Sequence, residues 1–217
     1  MPKQANDPSW IEETGAAIAI GGMLLFSWLL RPWYSRWGVP KGEAQRPLPG
    51  DDIVAQPMLE VTRAIAIQSP PERIWTWLAQ LGQEKGGLYT YQRLENLAGC
   101  KITNARRIKP EWQDPSPGDA VRLGPKGYPL FRITSIERGQ ALVMQACDPA
   151  TEQPGPASWV FVIEQLGDDT CRLWTRSRNG SERTFANLLI WRVITEPIHF
   201  VMERRMLIGI KQRAEAG

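Results

Sequence analysis

The strongest pattern in the chain is the apolar run Thr14 to Leu30, TGAAIAIGGMLLFSWLL, seventeen residues without a charge. Glu12 and Glu13 bound it on one side and Arg31 on the other. A helix of this length spans about 26 Å, near the thickness of a bilayer's hydrocarbon core. A different pattern follows after residue 58. Leu59, Val61, Ile65 and Ile67 alternate with Glu60, Thr62 and Gln68, which predicts a strand with one buried face. Arg63 is the exception, a charge on the apolar side. Ser69-Pro70-Pro71-Glu72 reads as a helix start with Ser69 as cap. Ile74, Trp75, Leu78 and Leu81 form the helical stripe behind it, and Gly82 ends it.

Tyr89 to Ala98 predicts a second short helix closed by Gly99, after a Gly86-Gly87 hinge. Short strands then follow at Gly118–Leu123, Leu130–Glu137, Gln140–Cys147, Ser158–Leu166 and Cys171–Arg178. Gly167-Asp168-Asp169 marks a hairpin turn between the last two. From Thr184 to Ala214 the period is helical, with Ile190, Ile194, Val201 and Ile208 in one stripe and a kink expected at Pro197. The fold class is therefore α+β: a curved antiparallel sheet around a long C-terminal helix, preceded by one transmembrane helix. A bent sheet and a single helix do not always fill the space between them, so a cavity is expected there. The chain divides into a short tail (1–9), an anchor helix (10–30), a juxtamembrane linker rich in Pro, Gly and Asp (31–57), and the folded domain (58–217).

Charge and aromatic placement sharpen the membrane reading. Trp10 precedes the apolar run, and Trp28, Trp33, Tyr34 and Trp37 lie at or past its far end, where an interfacial belt belongs. The lead is acidic, with Lys3 against Asp7, Glu12 and Glu13, and Arg31-Pro32 makes a poor cleavage site. Both features argue against a signal peptide. Arg31, Arg36, Lys41 and Arg46 oppose a single Glu43 after the run. The positive-inside rule then puts the N-terminus outside and the domain in the cytoplasm, as a single-pass protein of the inner membrane. A buried helix of a soluble core is the alternative for so short a run. The lipid bilayer is the expected partner, and Gly15, Gly21 and Gly22 leave room for other transmembrane subunits.

A net charge of +3 without a Lys/Arg block offers nothing to nucleic acid. Cys100, Cys147 and Cys171 are far apart and form no metal or disulfide spacing. GQEKGG at Gly82–Gly87 lacks the ending of a phosphate loop. No cofactor or metal is expected. His199 is the only histidine and follows Pro197 in an apolar helix, so it is read as a packed residue rather than a catalytic one. Arg176 and Arg178 share a strand face with Trp174; that face either lines the cavity, where the arginines need anionic partners, or meets water.

The segment Thr62-Arg63-Ala64-Ile65 through Ser69-Pro70-Pro71-Glu72-Arg73-Ile74-Trp75 to Gln80-Leu81-Gly82 resembles the opening of the START-like superfamily. That superfamily is also called SRPBCC or Bet v 1-like, and its fold is the helix-grip. Arg36-Trp37-Gly38, Leu48-Pro49-Gly50-Asp51, Gly86 to Tyr91, Arg107 to Gln113, Gly118-Asp119 and Met202 to Leu207 resemble a bacterial membrane-anchored branch of it. The resemblance covers about Arg31 to Glu215. It implies a pocket for lipids, sterols or polyketides, with polyketide cyclase or dehydrase activity in some members, and carries over no common catalytic residue. It also places Tyr89, Tyr91, Glu95, Arg107, Glu111 and Trp112 at the cavity mouth, either as ligand contacts or as a structural network. Arg205, close to the apolar stripe of the final helix, is the seventh candidate. The leading expectation is a membrane-tethered domain on the cytoplasmic face that binds an apolar small molecule or lipid without catalysis. The alternatives are an accessory subunit of a larger membrane complex, and a cyclase- or dehydratase-like enzyme using Tyr89, Glu95, Glu111 or Arg205.

Overall fold

The structure is a computed structural model, and it describes residues 8–216. Most of the expected tail thus lies outside the described residues. Helix α1 runs Trp10–Tyr34, a turn beyond the apolar run, and opens with a capping box between Ser9 and Glu12. Strand β1 (Leu59–Ile67) is followed by helices α2 (Pro71–Ala79) and α3 (Gln92–Leu97). Then come β2 (Ala120–Arg122), β3 (Leu130–Glu137), β4 (Ala141–Cys147), β5 (Pro154–Gly167) and β6 (Thr170–Asn179). Helix α4 (Phe185–Leu189), a wide-turn π segment (Ile190–Thr195) and α5 (Glu196–Ala216) close the chain.

The six strands form one antiparallel sheet in the order β1-β6-β5-β4-β3-β2. Register shifts in β3, β4 and β5 bend it. The concave face carries Trp159, Phe161 and Ile163 of β5, which pack with α5 residues Met206, Leu207 and Ile210 in one core cluster. This is the helix-grip arrangement. The buried stripe of α5 is Glu196, Phe200, Glu203, Leu207, Ile210 and Ala214, at helical spacing with two carboxylates in it.

Three local expectations change. Ser69 does not cap α2; Pro70 holds the cap position, and the Ser69 hydroxyl donates to the Ala214 carbonyl at 3.1 Å. Pro197 does not kink a helix interior, because α5 begins at Glu196 and the proline sits in its first turn. The irregularity falls just before it instead. Pro197 has no N–H for the carbonyl four residues back, and the backbone takes i→i+5 turns over Ile190–Thr195. That shift breaks the single stripe: Val201 is buried while Ile190 and Ile194 are each half exposed.

Residues 35–54, between α1 and β1, form an outer layer. Thr62 and Ala64 of edge strand β1 donate their N–H groups to the Ser35 and Trp37 carbonyls at 3.1 and 3.0 Å. Gly38 adopts φ +74°, and a Cβ there would run into the Ala64 carbonyl, so only glycine allows this approach. Leu48 and Val54 are buried against the convex face of the sheet. The same layer covers Trp174, Arg176 and Arg178, whose face turns from water toward residues 35–54, with Arg178 also bordering the cavity. Arg176 bonds Asp51 at 2.6 Å, Thr62 at 2.9 Å and the Ala44 carbonyl at 2.9 Å. Arg178 pairs with Glu60 at 2.7 Å and Asp51 at 3.3 Å. Buried guanidinium groups are tolerated here because each is paired and hydrogen-bonded.

Helix α1 lies along the domain. Ala16, Met23 and Tyr34 pack with Phe200 and Val201 of α5. Near its start, Glu13 accepts from the Arg93 N–H at 3.1 Å. At its end, Arg31 pairs with Glu196 at 2.8 Å. The opposite face is apolar and open: Ile11, Ile18, Leu25, Phe26 and Leu29 are all exposed.

Candidate functional site

A cavity of about 820 Å³ lies between α5 and the concave face of the sheet. Its volume is within the range of sites that hold drug- or lipid-sized molecules. Val61, Leu130, Phe131 and Trp159 line it from the sheet, and Met202 and Met206 from α5. Leu94 and Glu95 of α3 and Trp191 and Ile194 of the π segment complete the walls. Ala17 and Ile20 show that α1 also contributes a wall. The cavity exists because β1 and the short strands at the other edge curl past a single helix, which cannot fill the trough.

Polar groups are few and gathered. Glu203, buried on α5, accepts from Arg63 of β1, from Trp159 Nε1 at 2.9 Å and from Thr175 Oγ1 at 3.0 Å. Arg63 is fully buried; its Nε donates to the Tyr34 carbonyl at 2.9 Å, and its guanidinium lies over the Phe200 ring. Burial alone would raise the Glu203 pKa. The nearby His199, the Arg63 charge and the donated hydrogen bonds outweigh it, so the carboxylate stays below its ordinary value. His199 Nε2 lies 3.7 Å from Glu203 Oε1, and the ring lines the cavity. Burial holds His199 below the usual histidine value, against the pull of Glu203. Of this group the sequence shows Arg63 as a charge on an apolar strand face; Glu203 lies off the stripe of Ile190, Ile194, Val201 and Ile208, and the structure alone places it in the buried stripe of α5. What the sequence does not give is that they meet.

The seven candidate residues do not converge. Glu95 alone lines the cavity. Burial raises its pKa to about 7, with Glu13 adding to the effect and the Thr90 hydroxyl opposing it. Tyr89 is buried beneath α5 rather than in the cavity wall; its hydroxyl donates to the Trp77 carbonyl at 2.9 Å, and Arg213 lies over its ring. Its backbone, at φ +58°, is fixed by the Asn104 side chain, which accepts from its N–H at 2.7 Å. Tyr91 packs near α1, with Arg205 5.9 Å from its ring centroid, and Arg205 also donates to Gln212 at 3.3 Å. Arg107, Glu111 and Trp112 sit on an outer loop beside α2, with Arg107 and Glu111 exposed. Lys109 pairs loosely with Glu111 and caps the Trp112 ring. That loop is held away from the cavity by Gln80 and Gln113, which bond its backbone. Tyr89→Phe should therefore cost about 1 kcal/mol of stability and leave any ligand affinity unchanged, as checked by thermal melts and a binding titration.

Of the five aromatic residues expected at a membrane edge, Trp10, Trp28 and Trp33 are exposed, Trp28 to 74%. Tyr34 is fully buried, because its ring stacks on Phe200 and its hydroxyl reaches Glu196 at 3.4 Å. Trp37 is partly buried, with the Arg204 guanidinium 5.2 Å from its ring centroid.

The α1 helix contains an 18-residue window of mean hydropathy 1.5, long and apolar enough to cross a membrane. Among the described residues no group of three His, Cys, Asp or Glu could hold a metal ion.

No protein-family model and no curated protein matches the sequence. The similarities lie among solved structures. A solution structure from Thermobifida fusca is 14% identical over 68% of this chain and 90% of its own, with a TM-score of 0.40. The Aha1 dimer from Colwellia psychrerythraea is 17% identical over 73% and 97%, at 0.39. A polyketide-cyclase-like protein from Corynebacterium glutamicum is 13% identical over 70% and 88%, also at 0.39. At such scores the likeness adds nothing to the topology already described.

Proposed function

We propose that this chain is a membrane-tethered START-like domain, facing the cytoplasm, that binds an apolar small molecule or lipid without catalysis. The observation that carries the reading is the cavity of about 820 Å³, walled largely by apolar side chains and in part by the apolar helix α1. A largely apolar cavity gives water few hydrogen-bond partners and favours an apolar guest in its place. The outer face of α1 supports a place at the bilayer, with Trp10, Trp28 and Trp33 exposed along it. A helix lying along a domain cannot at once run through a bilayer. In the tethered form α1 leaves α5, the Glu13–Arg93 and Arg31–Glu196 contacts open, and the cavity loses the wall formed by Ala17 and Ile20. A guest then enters from the lipid side.

Native mass spectrometry after gentle extraction should show a small molecule that co-purifies. Ala157→Phe, which narrows the cavity from β5, should lower its occupancy about tenfold or more without loss of the folded state. A persistently empty wild-type protein would count against the reading.

A second reading, an accessory subunit of a membrane complex, has one observation in its favour. Gly15, Gly21 and Gly22 of α1 have open space above them, where another helix could approach closely. A pull-down in mild detergent that recovers stoichiometric membrane partners would favour this reading; recovery of the monomer alone would remove it.

A further inference from the structure

We propose that His199 is the recognition point of the cavity, and that the guest is a long-chain amphiphile with an uncharged hydroxyl head. This rests on the reading above and names the ligand class. The ring lines the cavity, and among the described residues no hydrogen bond reaches either of its nitrogens. Its neighbours account for which hydrogen-bonding group it offers. Nε2 is the nitrogen turned toward Glu203 Oε1, at 3.7 Å. That carboxylate is ionised and already takes donors from Arg63, Trp159 and Thr175. A neutral imidazole keeps its proton on the nitrogen that faces a carboxylate, so Nδ1 is left as a bare acceptor. A bare acceptor in an apolar cavity asks for a donor, and a hydroxyl is the smallest neutral one.

Charge at this end of the cavity excludes the other head groups. Glu203 beside the imidazole is already paired with Arg63, so an anionic head gains no free cation there and bears the cost of burial. A cationic head finds Glu203 already neutralised by Arg63. The remaining walls are mostly apolar, among them Leu130, Met202 and Met206, which suits an alkyl tail, and Glu95 and Arg178 are charged groups that also line them. Methionine adapts to irregular guests.

The test uses the full chain in phosphatidylcholine nanodiscs, offered 1-hexadecanol, methyl hexadecyl ether and hexadecyl sulfate at equal mole fraction. Bound guest is read by native mass spectrometry. The alcohol should exceed the ether about fivefold to tenfold, the worth of one buried hydrogen bond, and the sulfate should fall below both. In His199→Leu the alcohol should lose its advantage while ether binding stays as in wild type. In His199→Gln, whose amide oxygen still accepts, part of the advantage should remain. Equal binding of alcohol and ether by the wild type, preference for the sulfate, or an alcohol advantage that survives in His199→Leu would each overturn the proposal and leave the apolar-binding reading standing. Absence of all three probes from the wild type would overturn both. The alcohol-to-ether ratio in wild type does not depend on whether a variant folds, and thermal melts check each variant.

Discussion

Glu203→Leu should destabilise the protein by about 3–5 kcal/mol, because it leaves the Arg63 guanidinium buried with its main partner gone. Three donors lose their acceptor at once: Arg63, the Trp159 indole and the Thr175 hydroxyl. The group joins α5 to β1, β5 and β6, so the loss falls on the contact that holds helix to sheet. For a domain of this size the melting temperature should fall by about 10 °C or more, measured by circular dichroism in a mild detergent. The double variant Arg63→Met with Glu203→Leu should recover part of the loss, the part that comes from the unpaired guanidinium, since a packed apolar pair can replace a buried ion pair at little cost. A double variant no more stable than the single one would show that the pairing is not what makes Glu203 matter.

The second large effect depends on pH. Burial raises the Glu95 pKa to about 7 in the folded protein, above the ordinary 4.5 of a glutamate. Between these two values the folded state holds a proton that the unfolded chain has released. Stability therefore falls as pH rises through this window and is level above it. At about 1.4 kcal/mol for each unit of pKa, the total is about 3 kcal/mol at most. Glu95→Gln removes the penalty. It should melt with the wild type at pH 5 and several degrees above it at pH 8. An equal offset at both pH values would mean that the carboxyl is not held protonated in the fold. Because Glu95 lines the cavity, the same titration makes the α3 wall uncharged in mild acid and charged in mild alkali.

Much of the secondary structure was legible in the sequence for direct reasons. Alternation at Leu59–Ile67, the Gly167-Asp168-Asp169 turn and the helical period after Thr184 all report local geometry, and each element stands close to where its pattern lies. Ser69 does not cap α2 because it has a tertiary partner, the Ala214 carbonyl, that competes with the local one. The single stripe of the last helix breaks because a proline near a helix start pushes the irregularity upstream rather than onto itself. Arg107, Glu111 and Trp112 look functional as a polar and aromatic run, yet their loop is pinned outside the trough by Gln80 and Gln113.

By itself the sequence determined the element order, the antiparallel sheet with its closing helix, and the apolar character of Trp10 to Leu30. These follow from periodicity and turn chemistry, which act over a few residues. Only the tertiary structure decided that residues 35–54 cover the convex face, that α1 lies on α5, and that Arg63, Glu203, Trp159, Thr175 and His199 meet at the cavity. A buried charge must find its partner wherever the chain brings one, and that partner here stands 140 residues away.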